Sequence, residues 1–154
     1  MPTLLHLVSC GILSVTKCST EESRIMPMQV CSSAQLKCSF GSTPSALKVI
    51  PANLVMTSNQ PAANIMDNKP MVNIMPFGMC TSLANPVVAS ATAAAKGKLT
   101  PMPCIPNTTA PWTPGVQAVL IGNQPAVDNT CKLMCMWAGV IQVVMPGQMT
   151  HIVP

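Results

Sequence analysis

The chain has 154 residues, 49% hydrophobic, 8% charged and only 3% aromatic, with a formal net charge of +4 and no tyrosine. That balance excludes a disordered chain, which needs low hydrophobicity and abundant charge, and no stretch approaches the roughly 20 apolar residues of a membrane-spanning helix. Eight scattered Lys and Arg form no basic stripe, so nucleic acid is not an expected partner. A weakly charged exterior predicts a surface that rests against another protein.

Residues 1–25 hold Glu21, Glu22 and the lone Arg24 and differ in character from the rest of the chain. They read either as a disordered tail or as a mis-annotated extension upstream of a start at Met26 or Met28, and in both cases as dispensable for folding. Leu7-Val8-Ser9-Cys10 superficially matches a lipoprotein cleavage site, but no Lys or Arg precedes its short apolar stretch. One domain is expected over 26–154.

From Val30 onward, short extended segments end at turn residues. Gln35–Phe40 alternates polar and apolar and stops at Gly41. Ala46–Ile50 stops at Pro51, Val72–Met75 at Pro76, Ala118–Ile121 at Gly122, and Gly139–Val144 just before Pro146. One helix is expected, with Asn85 as N-cap, Pro86 at the first helical position, five Ala up to Lys96, and Gly97 as C-cap. Thr100–Pro114 carries five prolines and reads as an ordered extended loop. The fold class is therefore mainly β, with one short Ala-rich helix and a Pro-rich loop. Asn59-Gln60-Pro61-Ala62-Ala63-Asn64 is echoed by Asn123-Gln124-Pro125-Ala126-Val127-Asp128. Two similar hairpin turns or an internal repeat account for this equally well.

Catalytic chemistry is poorly provided for. Beyond residue 25 the carboxylates are Asp67 and Asp128 and the imidazole is His151, too few for the usual acid–base pairs, and no G-x-S-x-G elbow is present. The expectation is a protein that is not an enzyme. Of eight Cys, Cys10 and Cys18 lie in the extension, leaving Cys31, Cys38, Cys80, Cys104, Cys131 and Cys135. The Cys131/Cys135 spacing suits a ligand pair; buried thiols and disulfides are the other readings. Thirteen Met without an M-x-x-M cluster beside a His read as adaptable core filler, not a copper site.

The run from Gln60 to Cys80, with Pro61-Ala62-Ala63-Asn64 and Phe77-Gly78-Met79-Cys80, continues through Leu99–Pro106 and Ala110-Pro111-Trp112 to Pro146-Gly147-Gln148. This pattern resembles the PAAR-like family, once counted as a domain of unknown function. Asn64 stands where the arginine of the proline-alanine-alanine-arginine motif would be. The likeness covers about Gln35 to Gln148. It implies a small β-rich cone with pseudo-three-fold symmetry that caps a trimeric VgrG-type spike of a type VI or related contractile secretion system. It also implies docked effector proteins, transient contact with a target membrane, and a bacterial cytoplasmic origin followed by export on the spike. By the same resemblance Cys38, Cys80, Cys104 and Cys135 fall in recurring motifs and would hold zinc at the apex, with His151 a weak substitute ligand. The alternative is a small Cys-based metal-binding or redox protein, though such proteins favour C-x-x-C over the C-x-x-x-C found here.

Overall fold

The computed structural model describes residues 26–154; the 1–25 extension lies outside the described residues. The chain is mainly β. Its strands are β1 (Gln35–Cys38), β2 (Ser45–Ala46), β3 (Met56–Thr57), β4 (Gln60–Pro61), β5 (Met79–Cys80), β6 (Met102–Pro103), β7 (Val116–Ile121), β8 (Gln124–Ala126), β9 (Lys132–Met134) and β10 (Val140–Met145). A helix, α1 (Pro86–Ala94), lies between β5 and β6. β2-β1-β10-β9 form one antiparallel sheet, and β3-β4, β5-β6 and β7-β8 are separate two-stranded pairs.

Two of these pairs are the same hairpin built twice. Ser58 and Asn59 join β3 to β4 with φ of 52° and 62°, and Gly122 and Asn123 join β7 to β8 with φ of 59° and 62°. Positive φ at both central residues is the type I′ turn, whose twist matches that of the flanking strands. The registers coincide: Thr57 faces Gln60 and Met56 faces Pro61, as Ile121 faces Gln124 and Leu120 faces Pro125. The Asn-Gln-Pro-Ala echo is therefore a structural repeat.

A third copy is assembled from the two ends of the described chain. Met28 pairs with Ile152, and the Val153 amide donates to the Pro27 carbonyl at 2.8 Å. Burial follows the same pattern in all three. The outward residues Met56, Leu120 and Ile152 are 58%, 59% and 53% exposed, and the inward Thr57, Ile121 and Val153 are 6%, 1% and 2% exposed.

The three hairpins feed a closed ring of backbone hydrogen bonds. The Val30 amide donates to the Val127 carbonyl at 2.8 Å, Val127 to Ala63 at 3.1 Å, and Ala63 back to Val30 at 2.9 Å. The flanking bridges join the same three segments pairwise, Cys31 to Ala62, Asn64 to Ala126 and Asp128 to Gln29. Each arm then turns alike: Ala34 donates to the Cys31 carbonyl, Asp67 to Asn64 and Cys131 to Asp128. The backbone thus repeats three times around one axis, with Val30, Ala63 and Val127 fully buried on it.

Two apolar clusters lie along this arrangement. The smaller, around the hairpins, joins Ala62, Val116, Ile121, Ala126 and Val153; the Thr57 hydroxyl donates to Gln29 Oε1 at 3.0 Å within the same layer. The larger includes Leu36, Leu47, Ile74, Phe77, Trp112, Leu133 and Ile141. The buried polar run between Asn64 and Asn73 serves this core. Asp67 accepts from the Asn64 amide at 2.9 Å and from Asn73 Nδ2 at 3.3 Å, and Trp112 Nε1 donates to the Asp67 carbonyl at 3.1 Å. Asn64 Nδ2 reaches the Ile121 carbonyl of the neighbouring hairpin at 3.2 Å. Burial raises the Asp67 carboxyl above its ordinary range.

Several expectations need correction. Val72–Met75 is not a strand: Met71 has φ 61°, and the Asn73 side chain gathers the loop by donating to the Lys48 carbonyl at 2.8 Å. The helix begins as expected, Asn85 Oδ1 accepting from the Val87 amide at 3.0 Å, but its C-cap is Ala95, two residues before Gly97. Methionine is not core filler: nine methionines are exposed and no described one is buried. The short β-rich core is filled instead by branched aliphatics, Cys, Phe77 and Trp112.

Candidate metal centre

Cys38 closes β1, and Cys135 follows β9; the two strands flank β10 in one sheet. They are equivalents under the pseudo-three-fold, each seven positions past its arm's turn residue, Cys31 and Asp128 (38 − 31 and 135 − 128). The Asn64 arm carries Met71 at that offset and supplies instead Cys80, at the end of β5, and Cys104, just past β6. Gly41, just past β1, pairs with Cys80, and the Cys104 amide ties β6 to β5 by donating to the Gly78 carbonyl at 2.7 Å.

All four thiols are buried, between 1% and 6% exposed. Charge on Cys104 would repel charge on Cys80 and Cys38, and charge on Cys38 would repel charge on both Cys80 and Cys135. Gly139 makes part of this approach possible: a Cβ there would stand 2.9 Å from Cys38 Sγ and 3.6 Å from Cys135 Cβ. The Asn107 backbone amide points at Cys135 Sγ at 3.5 Å, whereas the Gly41 and Phe77 amides donate to the carbonyls of Cys38 and Cys104 at 3.2 and 3.1 Å. Burial, then the neighbouring Cys80 and Cys38, push the Cys104 thiol up to about 12; burial also raises Cys38.

The donor set suits zinc in its chemistry: four thiols, one of them met by an amide donor of the kind that stabilises a thiolate. It does not form a closed ligand shell, because among the described residues no three His, Cys, Asp or Glu side chains stand in ion-binding arrangement. Cys38, Cys80, Cys104 and Cys135 all line the larger apolar cluster; Cys131 borders it too, and Cys31 lies outside it. Cys131 and Cys135 do not act as a pair. β9 runs between them, and an extended four-residue step spans about 13 Å. Cys131 Sγ instead donates to Asp128 Oδ1 at 2.9 Å; burial followed by this contact raises it to about 11. Cys31 Sγ donates to the Pro146 carbonyl at 3.5 Å. His151 lies exposed in the third hairpin. Sequence reasoning missed Gly139 and the Asn107 amide; for Gly139, the glycines that follow Cys38 and Cys135 within four positions were the available signal.

The family model for the domain of unknown function DUF4280 matches residues 30–148, and the chain belongs to that family. No curated protein and no solved structure matches it.

Proposed function

We propose that this chain is the pointed cap of a trimeric VgrG-type spike in a type VI or related contractile secretion system. The observation that carries the proposal is the closed ring of Val30, Ala63 and Val127 with its three hairpins. A single chain whose backbone repeats three times about an axis can meet a homotrimer with each arm against one subunit, in keeping with the symmetry constraints on interfaces. The PAAR-like motifs and the β-rich architecture support the same reading. The chain is made in the bacterial cytoplasm and exported on the spike, where it carries effectors and meets the target membrane.

The role is mechanical, not enzymatic. Asp67 and Asp128 spend their oxygens on internal donors, which leaves them unsuited to acid–base work. At the cysteine end, zinc held by Cys38, Cys80, Cys104 and Cys135 would cross-link β1, β5, β6 and the segment after β9, replacing core volume that a narrow tip lacks.

A small cysteine-based metal or redox protein is the second reading, favoured by the four-thiol cluster. Redox work calls for a thiol with depressed pKa, and Cys104 and Cys38 are shifted the other way.

The test is native mass spectrometry of the full chain co-expressed with the trimeric spike protein of its own gene cluster. One chain per trimer is the expected result. Three chains per trimer, or no complex with a well-folded trimer, would overturn the cap and favour the second reading.

A further inference from the structure

We propose that the solvent face of the β2-β1-β10-β9 sheet docks an acidic protein segment, gripped by Lys37 and Lys132 and seated on Val144 and Met134. The sheet is two-faced. Leu36, Cys38, Leu133 and Ile141 point into the core, and the alternate residues face water. On that outer face Lys37 lies opposite Gln142, and Gln142 lies opposite Lys132. The two lysines are therefore two strand spacings apart, about 10 Å, in one cross-strand row. Val144 (58% exposed) and Met134 (53% exposed) flank this row, and a groove of about 220 Å³ runs along it past Lys37, Gln142 and Val144.

Charge decides the occupant. All six lysines of the described residues are exposed, and neither of the two described carboxylates is. Asp128 is 6% exposed and bonded to Thr130 and Cys131; Asp67 is bonded to Asn64 and Asn73. Among the described residues, nothing on this exterior neutralises Lys37 or Lys132. Like charges sharing a sheet row disfavour each other, and carboxylates brought by a partner relieve that repulsion. An extended segment with acidic and apolar side chains at every second position, both on one face, matches the surface: carboxylates meet the lysines, and apolar groups meet Val144 and Met134. Methionine adapts to varied apolar shapes, so several segments of this chemistry fit one surface. The face does not belong to the three-way ring, and its test needs no spike.

The probe is a fluorescein-labelled octapeptide, Leu-Ser-Glu-Ser-Glu-Ser-Leu-Ser, whose Leu and Glu share one face when extended; it is titrated against the full chain and read by anisotropy. Binding is expected to weaken at least about tenfold in K37E/K132E and to weaken as salt rises from about 0.05 to 0.5 M. The pair K48E/K69E, with the same net charge change elsewhere, is expected to leave it unchanged. Should K37E/K132E lose its cooperative melt, K37Q/K132Q takes its place, with a loss of at least about threefold. The proposal is overturned if wild-type chain ignores the peptide at millimolar concentration, or if both lysine pairs weaken it equally. It is also overturned if vesicles of three parts phosphatidylcholine to one part phosphatidylserine are bound through Lys37 and Lys132 while the peptide is not.

Discussion

Cys104 sits among other thiols, short of water and with its proton held tightly; the same surroundings become favourable once a divalent cation is present. A cation inverts the local electrostatics, since mutual repulsion between thiolates turns into shared attraction. Structural zinc contributes on the order of 10 kcal/mol of apparent folding energy in small domains. In the full chain, Cys80→Ser and Cys104→Ser are expected to abolish stoichiometric zinc and to lower the thermal midpoint sharply. Cys31→Ser, outside the cluster, should leave the metal content alone. Elemental analysis of the purified variants checks this, and unchanged zinc in Cys80→Ser would sink the four-thiol site. The grouping of these cysteines was legible only through motif likeness. Spacing pointed to Cys131 and Cys135, and the intervening strand defeats that pair. The side chain of Cys131 has its own partner in Asp128, a contact that depends on a turn no periodicity reveals.

Among the elements, the hairpins were the most legible, because a type I′ turn imposes strict residue demands that Asn59 and Asn123 meet. The third hairpin was invisible for a simple reason: its strands lie at opposite ends of the described chain and share no linear motif. β9 was missed because three residues are too few to display alternation. The third hairpin also yields a test. Val153 corresponds to Thr57 and Ile121, and Pro27 to Gln60 and Gln124, so two residues, Pro154 and Met26, fall where the other copies have their turns. A circular permutant of 26–154 joined as Val153-Gly-Asn-Pro27, with new ends opened between Gly97 and Lys98, is expected to fold. A Cβ added at Gly97 would meet nothing within 4 Å, so the cut falls in open space and disturbs little. A thermal midpoint within a few degrees of the uncut domain is the expected outcome of calorimetry. A chain that melts without cooperativity would show that the third arm is not equivalent to the others.

Taken as a whole, the molecule is held shut by its last few residues. Deleting His151–Pro154 removes Val153 from the hairpin layer, a burial worth roughly 2 kcal/mol. It also removes the backbone bonds Gln29-to-His151 and Val153-to-Pro27, each worth about 1 kcal/mol. The truncated chain should melt roughly 10 °C or more below the full chain, as followed by circular dichroism. A shift of less than a few degrees would mean that the ring stands without its third outer strand. The β class and the single helix were readable from Pro and Gly punctuation. The three-fold was readable only in part, since a ring of backbone bonds leaves no trace in side-chain identity at Val30, Ala63 and Val127.

The ring also sets a timetable for synthesis. The strand around Gln29 and Val30 is made early, yet its partners come late: Gln148, whose side chain donates to the Gln29 carbonyl, lies 119 positions further on. At roughly 5–20 residues per second, that strand waits on the order of ten seconds after leaving the ribosome before its partner exists. Contacts so distant in sequence slow folding and leave an unpaired edge exposed meanwhile. A chain interrupted in translation therefore lacks both the ring and the closed third arm, and a partner that requires three complete arms accepts only finished copies.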